Sequence, residues 1–320
     1  MMAARTVDPA KGPFAQPPRG RLQAQVALAG LTSWRVGGPA DWLFQPADLD
    51  DLVDALRDHA RHSPELPVTF LGLGSNVLVR DGGVDGLVIH LSGVLNERRR
   101  LDGNRLLLGA GLACAQAARF SAREGLVGAE FLAGIPGTVG GALQMNAGAW
   151  GGEIWPLVES VGTVNARGEL HSRTPRDYVI GYRSVHGPEE EWFTGCVLQL
   201  TAGDADVGTR RIRELLRERS AKQPLGLPSC GSVFRNPEGD HAARLIEAAG
   251  LKGLRRGAAE ISFKHANFIT HDGTARAADI EWLLRHAQAE VQRQFGVQLE
   301  PEVRVLGRPV DGDDANEGTS

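Results

Sequence analysis

The stretch GAEFLAGIPGTVGGALQMNAGAWGG, residues 128–152, holds eight glycines and one charged residue, Glu130. Glycine reaches positive φ freely and lets a backbone approach a ligand with no Cβ in the way. Phe131, Leu132, Ile135 and Trp150 punctuate the run, whereas flexible linkers lack such apolar anchors. The pattern predicts an ordered loop whose backbone N–H groups line an anionic group such as a pyrophosphate. Glycine marks turns more often than phosphate sites, so the reading leans on a second glycine stretch upstream.

That stretch is PVTFLGLGSNVLVRDGGVDGLVIHL, residues 67–91. Val68–Leu71 predicts a buried strand, Gly72–Asn76 a turn, and Val77–Val79 and Leu87–Leu91 further strands. A dinucleotide fingerprint needs a third glycine at 77 and a helix opening there. Position 77 is Val and the sequence continues as strand, so this is not a Rossmann loop. No Gly-Lys-Ser/Thr occurs either, which excludes a P-loop. Two glycine-rich anion cradles remain, outside both common nucleotide folds.

At 320 residues the chain has room for two or three domains, and 42% hydrophobic with 23% charged residues is an ordinary globular composition. A net charge of −4 argues against nucleic acid as the main partner, which demands a basic face. Cys114, Cys196 and Cys230 are an odd, widely spaced set that suits unpaired thiols in a reducing cytoplasm. Residues 1–20 are rich in Pro, Ala and Gly with no apolar core for a signal peptide, and 311–320 are acidic. Both ends are expected to be disordered. No run approaches the length of a membrane-spanning helix.

Periodicity predicts helices over 47–60, 112–123, 207–221, 242–249 and 277–294, with Gly125 and Gly250 as stops. Strands are expected at 105–108, 158–164, 192–200, 261–269 and 297–306, with a turn and strand at 231–235. Three α+β units follow: 21–91, 92–206 and 207–308, flanked by the extension 1–20 and the tail 309–320.

Several strings then resemble one family. They are TSWRVGGPAD (32–41), GLGSNVLV (72–79), GIPGTVGGALQMNAGAWGGEI (134–154), GYRS (181–184), KQP (222–224), SCGSVFRNP (229–237), KHANFI (264–269) and LEPEVRVLG (299–307). In order and across most of the chain, they look like the UDP-N-acetylenolpyruvoylglucosamine reductases of peptidoglycan precursor synthesis. The resemblance implies a flavoprotein oxidoreductase with an FAD-binding fold of the vanillyl-alcohol oxidase and p-cresol methylhydroxylase type. That fold has two subdomains, followed by a C-terminal α+β substrate domain. It implies non-covalent FAD, NADPH as co-substrate, UDP-N-acetylglucosamine-enolpyruvate as substrate, and no metal, membrane or obligate protein partner. Tyr178 and Tyr182 are the only tyrosines. With no evident insertion after Ser184, the chain resembles the shorter, second type of the family.

The resemblance also assigns residues. Arg183 matches the catalytic arginine, and its permanent bidentate charge suits a carboxylate. Ser232 matches the proton donor to the substrate α-carbon; a serine is a poor acid, but position outweighs pKa toward a carbanion-like centre. Glu302 matches the catalytic glutamate, which needs a raised pKa to donate a hydrogen bond. From the residues alone Glu300, two places back on the expected strand, stands equal to it. Lys222, Asn236 and His265 fall where the family contacts substrate, with Lys222 offering charge to the diphosphate. Gly72, Gly74, Ser75 and Asn76 form one FAD cradle, and Gly134, Ile135, Gly137, Thr138, Gly140 and Gly141 the other, with Trp34 and Arg35 approaching the flavin. Cys230 is expected to be a packing residue. Two other classes share parts of the pattern: a flavin-dependent oxidase of the same fold, and a flavin-free nucleotide-sugar transferase or binding module.

Overall fold

The computed structural model describes residues 12–224 and 226–310. The first unit is a four-stranded sheet ordered Arg21–Ala27, Pro39–Gln45, Val84–His90, Val68–Leu71. Its first pairing is antiparallel and the other two are parallel. Helix α1, Leu49–His62, packs on it where periodicity predicts, burying Leu52, Val53 and Leu56. Asp48 caps α1 by accepting from the Asp51 N–H at 2.9 Å. Residues 12–20, assigned by composition to a disordered extension, instead pack here. Phe14 is buried edge-on against Phe44 with ring centroids 5.3 Å apart. The Arg19 and Gly20 N–H groups each donate to the buried Asp51 carboxylate at 2.8 Å. Asp58 also accepts from the Ala15 N–H at 2.6 Å, and the Arg19 guanidinium pairs with Asp48, so side chains of α1 and its cap order this Pro-rich segment. Residues 1–11 and 311–320, the remainder of the expected disordered ends, lie outside the described residues.

The second unit is a five-stranded antiparallel sheet, ordered Leu170–Arg173, Val158–Asn165, Glu191–Gln199, Arg105–Gly109, Arg98–Leu101. Helix α2, Cys114–Arg123, leads into Gly125, which takes φ +66°. The glycine stretch 128–152 is more regular than a loop. It contains a 3₁₀ turn at Glu130–Gly134, the short helix α3 at Val139–Gln144, and a strand pair Gly148–Ala149 with Gly152–Glu153. Phe131, Leu132, Val139 and Leu143 are buried beneath it, so its apolar residues bind it to the core, while Gly134 and Gly152 let the Trp150 and Phe131 rings pack close to the backbone. Helix α4, Ala205–Lys222, packs against α2 and the 3₁₀ turn of this unit. Phe70 of the first sheet stacks on Trp192 of the second at 4.5 Å and 19°.

The third unit holds α5 (Ala242–Ala248), α6 (Ala277–Phe295) and a small antiparallel sheet, Arg255–Arg256, Ala259–Ile261 and Ile269–His271. The single strand expected over 261–269 is in fact the connection of this hairpin: strand ends at Ile261 and resumes at Ile269. Ser262 turns the chain by accepting from the Lys264 N–H at 3.2 Å, and the Phe268 N–H closes on the His265 carbonyl. The expected strand 297–306 shrinks to Arg304–Leu306, because Pro301 has no N–H to continue a ladder. That short strand pairs in parallel with Val77–Val79, so the chain's end returns to the glycine turn of the first unit.

Three further contacts dock the third unit on the first. Asp81 accepts from the Ala277 and Ala278 N–H groups at 3.1 and 3.0 Å, capping α6 from another part of the chain. Arg80 grips Glu281 with two bonds of 2.9 and 2.7 Å. Trp34, fully buried in the core of the third unit, donates from Nε1 to the Ile269 carbonyl at 2.9 Å. Among the described residues no helix is long and apolar enough to cross a membrane.

Candidate active site

The two glycine stretches face each other across a cavity of about 380 Å³. Gly72, Gly74, Ser75 and Asn76 line one side; Ile135, Gly137, Thr138, Gly140 and Gly141 line the other. Phe70, Trp192 and Phe193 supply an aromatic wall. Gly74 sits at φ +59°, and a Cβ there would lie 2.1 Å from the Leu31 carbonyl oxygen, so only glycine fits that turn. A Cβ on Gly137 would reach within 3.3 Å of the Ser75 hydroxyl, so a side chain at this position would fill the gap between the two cradles. Among the described residues, the N–H groups of Leu73, Gly74, Ser75 and Asn76 have no partner. Four unpaired donors beside an apolar, aromatic wall fit a cofactor that joins a diphosphate to a flat ring system, as FAD does.

A second cavity, about 250 Å³, adjoins the first and shares Ser75, Asn76, Ile135, Met145 and Ala147 with it. Arg183, Ser232, Glu302, Asn236 and Gly134 all line it. Arg183 stands at φ +53°, just after the strand Val179–Gly181. Its guanidinium donates to the Gly148 and Asn146 carbonyls at 2.6 and 3.3 Å, which ties it to the far end of the glycine stretch. Its Nε lies 3.1 Å from Glu302 Oε1. Nε nevertheless counts as buried without a hydrogen-bond partner, so the contact is a close ion pair whose N–H is not aimed at the oxygen.

Burial pushes the Glu302 carboxyl above its ordinary range, and the nearby charges of Arg183 and Arg235 only partly oppose this. Glu300 is different: its side chain is 70% exposed against 14% for Glu302. Ser232 follows Gly231, at φ +89°, and precedes the fully buried Val233 and Phe234. Asn267 stitches this loop in place, donating to the Phe234 carbonyl at 2.8 Å and accepting from its N–H at 3.0 Å. The Ser232 hydroxyl has no partner among the described residues. The Cys230 thiol is buried and pushed well above its usual pKa by desolvation, as a packing residue should be.

Other expected residues sit apart from both cavities. Trp34 is a core residue of the third unit, and the exposed Arg35 beside it lines neither cavity. Lys222 is 70% exposed and paired to Glu218 at 2.7 Å. One turn earlier on α4, Arg219 lines the second cavity instead. Burial lowers its pKa and no acid offsets this; its Nε bonds only the neutral Gln223 side chain, at 2.8 Å. A half-buried, uncompensated cation beside a cavity calls for an anionic ligand. His265 lies behind Phe268, ring centroids 4.7 Å apart, with Nδ1 buried and unpartnered, and burial keeps it neutral at ordinary pH.

The sequence reading also passed over Tyr182, whose ring lies 5.2 Å under the Arg183 guanidinium at the mouth of the second cavity. It passed over Arg235, which donates to the Arg183 carbonyl at 2.9 Å. Both lie inside motif strings, which were the available signal.

Comparison with known proteins identifies the family. Residues 40–173 match the profile of an FAD binding domain, and residues 223–306 that of the C-terminal domain of UDP-N-acetylenolpyruvoylglucosamine reductase. The chain is 54% identical to the UDP-N-acetylenolpyruvoylglucosamine reductase of Nitrosococcus oceani, over 91% of this chain and 97% of that one. It is 54% identical to the protein of the same name from Methylococcus capsulatus, over 95% and 97%. The crystal structure of the Thermus caldophilus reductase superposes with a TM-score of 0.77 at 37% identity, covering 90% of this chain and all of that one.

Proposed function

Since the chain belongs to the UDP-N-acetylenolpyruvoylglucosamine reductase family, we propose that it reduces UDP-N-acetylglucosamine-enolpyruvate to UDP-N-acetylmuramate with electrons from NADPH. FAD, held non-covalently by the glycine cradles, supplies hydride transfer when bound. The protein's side chains orient the substrate and handle charge and protons.

Hydride addition to the enolpyruvyl β-carbon leaves negative charge at the α-carbon, delocalised into the adjacent carboxylate. Arg183, fixed by two backbone carbonyls, offers a preorganised cation to that carboxylate. Glu302, whose carboxyl burial pushes above its ordinary range, donates a hydrogen bond to the developing enolate from its protonated form. Ser232 gives its proton to the α-carbon. We assign the substrate diphosphate to Arg219 rather than Lys222, since Arg219 is the cation that lacks a counter-charge at the cavity. Asn236, which accepts from the Ala242 N–H at the start of α5, presents its amide to the same cavity. Cytoplasmic synthesis of a cell-wall precursor is the setting this chemistry implies.

One observation carries the reading. Arg183, Ser232 and Glu302 come from three separate stretches and line one cavity, which shares a wall with the glycine-lined one. The test is an anaerobic visible spectrum followed through NADPH and then substrate addition. Yellow protein that bleaches with NADPH and regains colour with the enolpyruvyl substrate supports the reaction. Recovery only with oxygen would favour an oxidase, and colourless protein that takes up no FAD would discard the flavin chemistry.

A further inference from the structure

We propose that Asn76 is a positioning residue for Glu302, reaching from the cofactor cradle to hold the carboxylate that faces Arg183 and Ser232. This rests on the role given to Glu302 above.

Asn76 lines both cavities. Its Nδ2 donates to the Glu302 carbonyl at 3.0 Å and to the Met145 sulfur at 3.4 Å. Both amide hydrogens are therefore used inside the protein. A backbone carbonyl only accepts, so the Glu302 contact also fixes which way the amide points. The only donor Asn76 leaves for the cofactor is its backbone N–H, unpaired among the described residues.

The Glu302 N–H donates to the Val233 carbonyl at 2.9 Å, beside Ser232. Glu302 is thus tied through its N–H to the Ser232 loop and through its carbonyl to the glycine turn. Just before it, Pro301 bridges to the buried Phe234. Among the described residues no other side chain donates to the Glu302 main chain. Removing the Asn76 amide should not unfold this region. The Arg304 N–H still bonds the Asn76 carbonyl at 3.0 Å, and Arg304–Leu306 still pairs with Val77–Val79. What is lost is the tether that sets where the carboxylate sits, and a displacement of about 1 Å in a reacting group costs up to about 100-fold in rate.

The experiment is a double-mutant cycle in the full-length FAD-loaded enzyme, with Asn76→Ala, Glu302→Gln and the double variant. The FAD dissociation constant is read by flavin fluorescence without turnover, and the two half-reactions by anaerobic stopped flow. Asn76→Ala should hold FAD within about threefold of the parent, be reduced by NADPH normally, and be reoxidised by substrate about 10- to 100-fold more slowly. Added to Glu302→Gln, it should slow reoxidation by no more than about threefold, because the group it positions is already gone. Multiplicative losses in the double variant would overturn the proposal. So would weakened FAD binding with both halves slowed alike, which would make Asn76 a cofactor contact only. If the alanine variant does not fold, Asn76→Asp, of the same shape but with no N–H donor, takes its place in the cycle. Unchanged reoxidation in Glu302→Gln alone would overturn the role of Glu302 itself and this proposal with it, while normal reoxidation in Asn76→Ala with a slowed Glu302→Gln would overturn only the positioning.

Discussion

Arg183 and Glu302 meet as a buried ion pair, Nε to Oε1 at 3.1 Å, with side chains only 16% and 14% exposed. Pairing with a cation normally holds a carboxylate charged, yet desolvation is the larger influence here and the Glu302 pKa is raised. A hydrogen-bond donor must keep its proton. The competent fraction therefore falls as pH rises through the folded-state pKa. Flavin reoxidation by substrate should slow with rising pH, and Glu302→Gln, which cannot ionise, should lose that limb. Stability follows the same sign: it declines as pH rises from the unfolded value of about 4.3 through the raised folded one. Stopped-flow rates and melting curves across pH check both, and a limb that persists in the glutamine variant belongs to another group.

Ser232→Ala should leave FAD content and reduction by NADPH unchanged while slowing reoxidation by about 10²- to 10⁴-fold, the usual range for a lost proton donor. Single-turnover absorbance of each half-reaction separates the two. Equal slowing of both would sink the proton-donor role.

Arg219 and Lys222 offer a paired comparison. Arg219→Ala should raise the substrate KM by about tenfold or more, since it removes a half-buried, uncompensated cation. Lys222→Ala should change KM by less than about threefold, because its exposed pair with Glu218 is screened by water. Steady-state kinetics on both variants decides between them, and the reverse order would restore the diphosphate to Lys222.

Gly137→Val should abolish FAD uptake while leaving the apoprotein melting temperature within a few degrees of the parent. Gly137 takes no positive φ, and its Cβ position faces Ser75 across the cradle rather than backbone. The ratio of flavin to protein absorbance, set beside a thermal melt, reports each effect separately. Retained flavin would mean the cofactor passes elsewhere.

Trp34→Phe should leave the flavin spectrum and FAD affinity unchanged and lower stability by about 1–3 kcal/mol, the cost of a buried carbonyl left without its donor. Chemical denaturation and FAD titration measure the two. A weakened FAD affinity at unchanged stability would place Trp34 beside the flavin after all.

Features legible in the sequence were those set by local chemistry. Gly74 announces its turn because no other residue takes that φ in that space. The spacing of Leu52, Val53 and Leu56 marks α1 because amphipathicity repeats within a few turns. Motif strings located Arg183, Ser232 and Glu302 in one family order, and the structure brings all three to one cavity.

Tertiary structure decided whatever depends on which distant surface covers a residue. Glu300 and Glu302 differ by two positions, yet only Glu302 is enclosed, because Pro301 breaks the ladder and the Ser232 loop closes over one side. Trp34 reads as a cofactor neighbour until Ile269 and the third unit bury it. Lys222 and Arg219 share a helix, yet only the arginine lines the cavity, while the lysine stands in solvent. Burial, and with it the pKa values and contacts that make a reactive site, is a property of surfaces meeting across the chain, and no single stretch of sequence carries it.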